Sequence, residues 1–156
     1  MFYCAQSEKG PLIDSFLKEE GEIYNDIVQF SFRNSYLNLT RLQLSTIAWT
    51  LQHFPSIKYF VRSDSDMFVN SNFLIRKLIP YPKQRFIYGI LIHRGIPIRH
   101  PASKYYLPTW LFPESYFPPY LSGCFYIWSK DVMEKVIEYS KVIRPIHYID
   151  DVYYGQ

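Results

Sequence analysis

The chain has 156 residues, of which 48% are hydrophobic and 20% charged, with a net charge of +3. This is the length of one domain and a globular composition, which excludes a disordered or fibrous protein. The Lys and Arg residues are scattered, which excludes a nucleic-acid-binding stripe, and no apolar run reaches the roughly 20 residues of a membrane-spanning helix. The only two cysteines, Cys4 and Cys124, form no disulfide framework or zinc spacing, and their redox state stays open.

The hydrophobic pattern alternates between strands and helices along the chain, which favours an α/β fold with helices flanking a mostly parallel central sheet. Strands are predicted over 2–5, 25–30, 58–63, 86–92 and 124–129. Helices are predicted over 11–23 and 36–54, between Ser71 and Pro80, and after Ser129. Ser71 and Ser129 are the expected N-caps of the last two helices.

Three further features are expected from local patterns. The helix over 36–54 is expected to bury one face at 3.6-residue periodicity, consisting of Leu37, Leu44, Ile47, Ala48 and Leu51. Residues 95–119 are rich in proline and aromatic side chains, which indicates an ordered and functional loop, because loops of this length are uncommon otherwise. The tail after 145 is predicted to be a turn.

The segment Asp64-Ser65-Asp66 directly follows the predicted strand over 58–63, where α/β sheets place ligands. Two carboxylates spaced i, i+2 can face one hard cation such as Mg²⁺ or Mn²⁺, which in turn binds a diphosphate. The same residues fit an Asx-type turn, which is the more frequent use of this pattern. The apolar residues that follow, Met67, Phe68 and Val69, are expected to bury the back of this corner.

Asp150 and Asp151 form a second pair of acids. Adjacent carboxylates raise the pKa of one another, which can poise a general base, but acids also decorate helix N-termini for electrostatic reasons alone.

Upstream, Gly123 in the segment Tyr120–Cys124 allows close approach of a ligand or of other backbone, although the segment also fits a tight turn. Asn38-Leu39-Thr40 is an N-glycosylation sequon in which Asn38 can instead cap a helix.

Four segments, in this order, resemble the β-1,3-galactosyltransferase-like enzymes, family 31 of the glycosyltransferases. "YNDIVQFSFRNSYLNLT" is similar to the family's Y-D-I-I…D-F-x-D-S-Y-x-N-L-T, and "IKYFVRSDSDMFVN" to its strand followed by D-D-D-x-F-V-N. "YFPPYLSGCFYIWSKDV" is similar to Y-P-P-Y-x-S-G-x-x-Y-x-x-S-x-D, and "IDDVYYG" to E-D-V-Y-x-G. Any one segment is a weak match, whereas four in order are specific.

The resemblance implies a GT-A-like nucleotide-sugar transferase fold, with residues 1–156 as a single, partial catalytic domain that is incomplete at both ends. It implies a hexosyltransferase that moves galactose or N-acetylglucosamine from a UDP-sugar to a glycan on protein or lipid, in β-1,3 linkage with inversion. It further implies Mn²⁺ or another divalent cation, and a luminal catalytic domain held in the Golgi membrane by an N-terminal signal anchor (type II) outside this chain.

The resemblance also implies roles for single residues. Asp66 would bind the metal directly, and Asp64 would lie beside the donor ribose or a metal-bound water. Asp151 would be the base that deprotonates the acceptor hydroxyl. The junction between donor and acceptor would be lined by Tyr120, Ser122, Gly123 and Asp150.

The chain also departs from the family pattern. Ser65 replaces the middle acid of the triplet, Leu42 replaces a lysine, and Asp150 is one methylene shorter than the usual glutamate. These departures motivate an alternative, a catalytically inactive sugar-binding or chaperone-like relative. A two-carboxylate glycoside hydrolase is a weaker alternative, because its acids must lie about 5 to 10 Å apart across a sugar.

Overall fold

The computed structural model describes residues 1–143 and 149–155, which contain five strands, five α-helices and a 3₁₀ helix over Tyr36–Asn38. The strands are β1 (Phe2–Gln6), β2 (Ile27–Arg33), β3 (Tyr59–Ser63), β4 (Ile87–Ile92) and β5 (Tyr120–Ser129). The helices are α1 (Pro11–Tyr24), α2 (Leu39–His53), α3 (Ser71–Leu78), α4 (Lys130–Ser140) and α5 (Asp150–Tyr154). In these ranges no helix is both long and apolar enough to cross a membrane. Residues 150–154 form the helix α5, so the prediction of a turn for this segment was wrong.

The strands form two sheets whose directions differ from the prediction. β1 pairs in parallel with β2, whereas the second sheet has the order β3-β5-β4, in which β5 is antiparallel to both neighbours. β3 and β4 run in the same direction and enclose α3 in sequence, as a strand–helix–strand unit does. β5 is inserted between them in the opposite direction. The mixed α/β class is confirmed, but the mostly parallel central sheet was wrong for these three strands.

The main core lies between β5 and the helices α2, α4 and α5. Its buried residues are Ile47, Phe60, Leu121, Tyr126, Trp128, Met133 and Tyr154. Val132, Val136 and Ile137 of α4 pack against this cluster, as the helical periodicity predicts. Because α5 contributes Tyr154 to the core, its first turn is held next to the sheet.

The buried face of α2 contains three of the predicted apolar residues, Leu44, Ile47 and Leu51, which are buried or pack against the core, but it also contains polar residues that were not predicted, and Ala48 is exposed. Leu37 is exposed, and the buried residues of the helix are Thr40, Gln43, Thr46, Ile47 and Thr50. Tyrosine hydroxyls explain the difference. The Gln43 side-chain amide donates to the Tyr126 hydroxyl at 2.6 Å, and the Tyr154 hydroxyl donates to the Thr40 carbonyl. Buried polar groups with such partners do not carry the full desolvation cost.

The ends of two helices also differ from the expectations. Asn70, rather than Ser71, caps α3, because its side-chain oxygen accepts the Phe73 N–H at 3.0 Å. Ser129 does occupy the N-cap position of α4, but its hydroxyl donates to the Asp131 carboxylate at 2.6 Å and accepts the Phe86 N–H at 3.0 Å. Ser129 therefore links α4 to the residue before β4.

The loop over 95–119 is ordered around a single guanidinium. Arg99 donates to the carbonyls of Leu107 at 2.6 Å, Phe112 at 2.8 Å and Glu114 at 2.7 Å. Because these three carbonyls come from different parts of the loop, Arg99 fixes its course in the absence of regular secondary structure. The Phe117 N–H closes the loop on the Gly95 carbonyl at 2.8 Å.

Candidate active site

A cavity of about 510 Å³ lies where the end of β3, the start of β5, the first turn of α5 and the loop over 95–119 meet. The charged or polar part of its lining consists of Arg62, Asp64, Ser122, Gly123, Cys124, Asp150 and Asp151. The apolar and aromatic part consists of Tyr36, Leu39, Ile96, Ile98, Tyr105, Phe117, Tyr120 and Ile149. Most of the predicted site residues therefore share one cavity, although they come from distant parts of the chain.

Backbone hydrogen bonds of β5 hold the two acidic segments in place. The Asp64 N–H donates to the Cys124 carbonyl at 3.0 Å, so the corner after β3 is fixed to β5. The Leu121 N–H donates to the Gly155 carbonyl at 3.2 Å, which fixes the end of α5 to the start of the same strand. The acidic segments meet because both are attached to β5.

Arg62 lies among three carboxylates in the lining of the cavity. Its guanidinium is 3.2 Å from Asp150 Oδ2, 3.9 Å from Asp64 Oδ1 and 4.0 Å from Asp151 Oδ1. It also lies over the ring of Tyr126, at 5.6 Å from the centroid. The sequence analysis did not single out Arg62. Its position two residues before Asp64 was the available signal, since side chains at i and i+2 of a strand lie on the same face.

The charges in this cluster shift the pKa of its members in different ways. Burial raises the pKa of the Asp150 carboxyl. The charge of Arg62 lowers this pKa and the charge of Asp151 raises it, and the net shift is upward. Burial also raises the pKa of Asp64, where Arg62 opposes the rise and the charges of Asp66 and Asp151 add to it. For Arg62, burial alone lowers the pKa, but Tyr126 and the three carboxylates outweigh burial and raise it. The guanidinium therefore remains charged.

Asp151 is oriented by the backbone of β5. Its Oδ2 accepts the Gly123 N–H at 2.9 Å, while its Oδ1 faces the guanidinium. A Cβ placed on Gly123 would lie 2.0 Å from Asp151 Oδ1 and 2.7 Å from its Cγ. Only glycine at position 123 allows the carboxylate to approach the strand this closely, which answers the question of whether Gly123 serves a turn or a close approach.

Tyr120 and Ser122 line the cavity on either side of Leu121 of β5. Burial and the charge of Asp151 raise the pKa of the Tyr120 phenol. The Tyr120 ring packs over Gly95, where an added Cβ would lie 2.7 Å from the ring. The Ser122 hydroxyl donates to the Cys124 thiol at 3.3 Å, and both Cys124 and Cys4 are free thiols.

Asp66 is exposed and lies outside the lining of this cavity. Asp64 is shared with a second cavity of about 510 Å³, which β1, α2 and β3 line together with Ser65 and Met67. Among the described residues no group of three or more His, Cys, Asp or Glu side chains converges. Two neighbouring carboxylates still fit a hard cation that keeps several waters and takes further ligands from a phosphate. Contrary to expectation, Phe68 does not bury the back of this corner, since it is 91% exposed.

Asn38 lies immediately before α2 and outside the lining of both cavities. Its side-chain amide donates to the Arg33 carbonyl at 2.7 Å, and Thr40 of the sequon is buried. Asn38 therefore connects the end of β2 to the start of α2. Whether it carries a glycan stays a prediction.

Known proteins similar in sequence to this chain identify its family. The sequence profile of the Galactosyltransferase family matches residues 2–156. The chain is 38% identical to beta-1,3-galactosyltransferase 1 of Homo sapiens and of Mus musculus over 148 residues, which is 93% of this chain and 45% of each relative. It is also 38% identical to beta-1,3-galactosyltransferase 2 of Homo sapiens over 140 residues, 88% of this chain and 33% of that relative. The chain thus spans less than half the length of these relatives, and over its own length it belongs to the galactosyltransferase family.

Proposed function

We propose that this chain carries the catalytic carboxylates of a UDP-sugar-dependent hexosyltransferase. The proposed reaction transfers galactose, or alternatively N-acetylglucosamine, to a glycan hydroxyl in β-1,3 linkage with inversion. The observation that supports it best is the cavity in which Asp64 and Asp151 meet, with Asp151 oriented by the Gly123 N–H. Membership of the galactosyltransferase family supports the choice of galactose.

Asp151 is the proposed general base. Its carboxylate takes the proton of the acceptor hydroxyl while that oxygen forms a bond to the anomeric carbon of the donor. The bond from the anomeric carbon to the diphosphate oxygen breaks in the same step, and UDP leaves. A single displacement of this kind inverts the anomeric centre and needs no covalent intermediate. Positioned bases contribute about 10² to 10⁴ in rate.

Asp64 and Asp66 are the proposed ligands of a divalent cation such as Mn²⁺, and their oxygen donors suit a hard ion. When bound, such an ion neutralises the negative charge of the diphosphate leaving group. Asp64 borders both cavities, which supports a donor bound on the β1 side and an acceptor on the α5 side.

The aromatic side chains that line the first cavity form the proposed acceptor site. Tyr36, Tyr105, Phe117 and Tyr120 offer ring faces against which a sugar can pack while hydroxyls remain solvated. Tyr105 is fixed against Tyr36, with the ring centroids 6.0 Å apart in edge-to-face contact. The acceptor is a glycan on protein or lipid. The proposed location is the lumen of the Golgi, with the enzyme held in the membrane by an anchor.

The test measures UDP release from UDP-galactose and from UDP-N-acetylglucosamine by the purified protein with Mn²⁺ and a set of glycan acceptors. We expect turnover with one donor, loss of turnover in Asp66→Ala, and a fall of about 10² to 10⁴ in kcat in Asp151→Asn. Absence of turnover with both donors contradicts the proposal, as does full activity of Asp66→Ala. A thermal shift produced by free glycan, with none produced by UDP and Mn²⁺, would favour the sugar-binding alternative instead.

A further inference from the structure

Arg62 faces the acids because of its position on β3. The strand directs Arg62 and Asp64 to the same face, toward the first turn of α5. Only 21% of the Arg62 side chain is exposed, and its guanidinium packs over the ring of Tyr126. A cation enclosed in this way is costly unless carboxylates surround it, so Arg62 and the acids depend on one another.

The two adjacent aspartates differ in their relation to Arg62. The Asp150 side chain is 9% exposed and lies 3.2 Å from the guanidinium, whereas the Asp151 side chain is 33% exposed and lies at 4.0 Å. Successive residues of a helix point about 100° apart, so the two carboxylates differ in burial although both line the cavity. Arg62 is thus nearer to the more buried of the two.

The first turn of α5 is also held by core contacts, because Val152 and Tyr154 are buried, but among the described residues no side chain caps the N-terminus of this five-residue helix. Without Arg62, Asp150 would be a buried carboxylate with a raised pKa and no cation beside it, and it would have to protonate or turn out to solvent. Either change alters the backbone from which Asp151 projects.

We propose that Arg62 is a positioning residue for the transfer reaction. By pairing with buried Asp150 it fixes the first turn of α5, and this in turn holds the Asp151 carboxylate against the Gly123 N–H at the edge of the cavity. Arg62 acts through these residues and transfers no proton itself. The inference rests on the proposed function, because Asp151 is the base only if the protein is a transferase.

The experiment compares Arg62→Met, Arg62→Lys, Asp150→Asn and the double variant Arg62→Met/Asp150→Asn for kcat, donor KM and thermal stability. We expect Arg62→Met to lower kcat by about 10² with little change in donor KM, because misplacing a catalytic group by about 1 Å has effects of this size. Arg62→Lys should recover part of kcat, since it restores the charge but not the planar fork. The matched control is Arg76→Met, at an exposed position whose side chain donates to the Asn72 carbonyl within α3, and its activity should equal that of the wild type.

The double variant separates positioning from simple stabilisation. Asp150→Asn removes the buried charge that Arg62→Met leaves without a partner, so the double variant should regain thermal stability while kcat stays low. Recovery of kcat together with stability would overturn the inference, because Arg62 would then only neutralise Asp150. Activity of Arg62→Met within about threefold of the wild type would also overturn it. If Arg62→Met does not fold, the kcat of the double variant decides the matter. If the wild type itself releases no UDP, the proposed function fails, which is a different result.

Discussion

Replacing Gly123 with alanine adds one methyl group at the point where β5 and Asp151 meet. The ideal Cβ would lie 2.0 Å from Asp151 Oδ1, 2.7 Å from Asp151 Cγ and 3.0 Å from Arg62 Nη1. Two heavy atoms at 2.0 Å overlap strongly, so the Asp151 side chain must move by about 1.5 Å to restore a van der Waals separation of about 3.5 Å. The movement breaks the hydrogen bond from the Gly123 N–H and takes the carboxylate away from its present place in the cavity.

The expected effect on activity is large and the effect on stability small. A displacement of about 1 Å corresponds to a loss of about 10² in rate, and complete loss of the base to about 10² to 10⁴. The substitution itself favours the strand by about 0.5 to 1 kcal/mol, because alanine has less backbone entropy to lose than glycine. Loss of the charged hydrogen bond opposes this by about 1.5 to 3 kcal/mol. The net change in the free energy of unfolding is therefore a destabilisation of about 0.5 to 2.5 kcal/mol, while kcat falls by about 10² or more.

The assay measures UDP release at saturating donor together with thermal denaturation of the same preparation. Gly21→Ala is the matched control, because its Cβ would have only an ordinary contact of 3.5 Å with Ile27, and it lies in α1, which contributes no residue to the lining of either cavity. This control should be more stable by about 0.5 to 1 kcal/mol and should keep full activity. A folded Gly123→Ala variant with wild-type kcat would refute the argument that Asp151 must sit against the strand.

Two further substitutions test the framework around the site. Arg99→Met leaves three carbonyls of the loop over 95–119 without their donor. We expect the free energy of unfolding to fall by about 2 to 4 kcal/mol, because hydrogen bonds from charged groups contribute about 1.5 to 3 kcal/mol each and are not additive. Faster proteolysis within the loop, but not in Arg76→Met, is the readout, and unchanged cleavage would contradict it. For Asp131, partial burial raises the pKa, but hydrogen bonds from the Ser129 hydroxyl and the Arg85 N–H outweigh it and leave the pKa below its ordinary value. The ionised Asp131 carboxylate therefore stabilises the folded protein fully above the ordinary pKa of aspartate, and this contribution is lost as the pH falls through the lowered pKa. Asp131→Asn should cost about 1 kcal/mol at neutral pH, after allowance for solvent screening, and less at about pH 3, where more of the carboxylate is protonated. A difference that is the same at both pH values would contradict this assignment.

Most elements could be predicted from the sequence because each has a strong local pattern. Pro11 opens α1, and the helical periodicity of Val132, Met133, Val136 and Ile137 gave both the position and the inward face of α4. The direction of β5 could not be predicted in this way. A run of apolar and aromatic residues describes how deeply a strand is buried, and the pattern is the same whichever way the strand runs.

The polar residues on the buried face of α2 were missed for a related reason. Periodicity arguments assume that apolar side chains face the core, whereas here Thr40, Gln43 and Thr50 are buried as well. Their partners are tyrosine hydroxyls from β1, β5 and α5, such as the Tyr3 hydroxyl at 3.0 Å from Thr50 Oγ1. These contacts join residues more than 45 positions apart, as with Tyr3 and Thr50, so no local pattern reports them.

The candidate site shows the same limit more sharply. The motif positions of the acids were evident, and the family resemblance implied different roles for Asp150 and Asp151, but no local pattern indicated that a cation 88 positions upstream of Asp150, on β3, lies nearer to Asp150 than to Asp151. β5 supplies the connection: its backbone accepts the Asp64 N–H at Cys124, donates to Asp151 at Gly123 and donates to Gly155 at Leu121. Because these bonds use main-chain atoms, the identity of Ser122 or Cys124 hardly affects them. At Gly123 the absence of a side chain is itself required. The position on β5 that is most sensitive to substitution is therefore the one that the Asp151 carboxylate approaches, and not one that carries a reactive group.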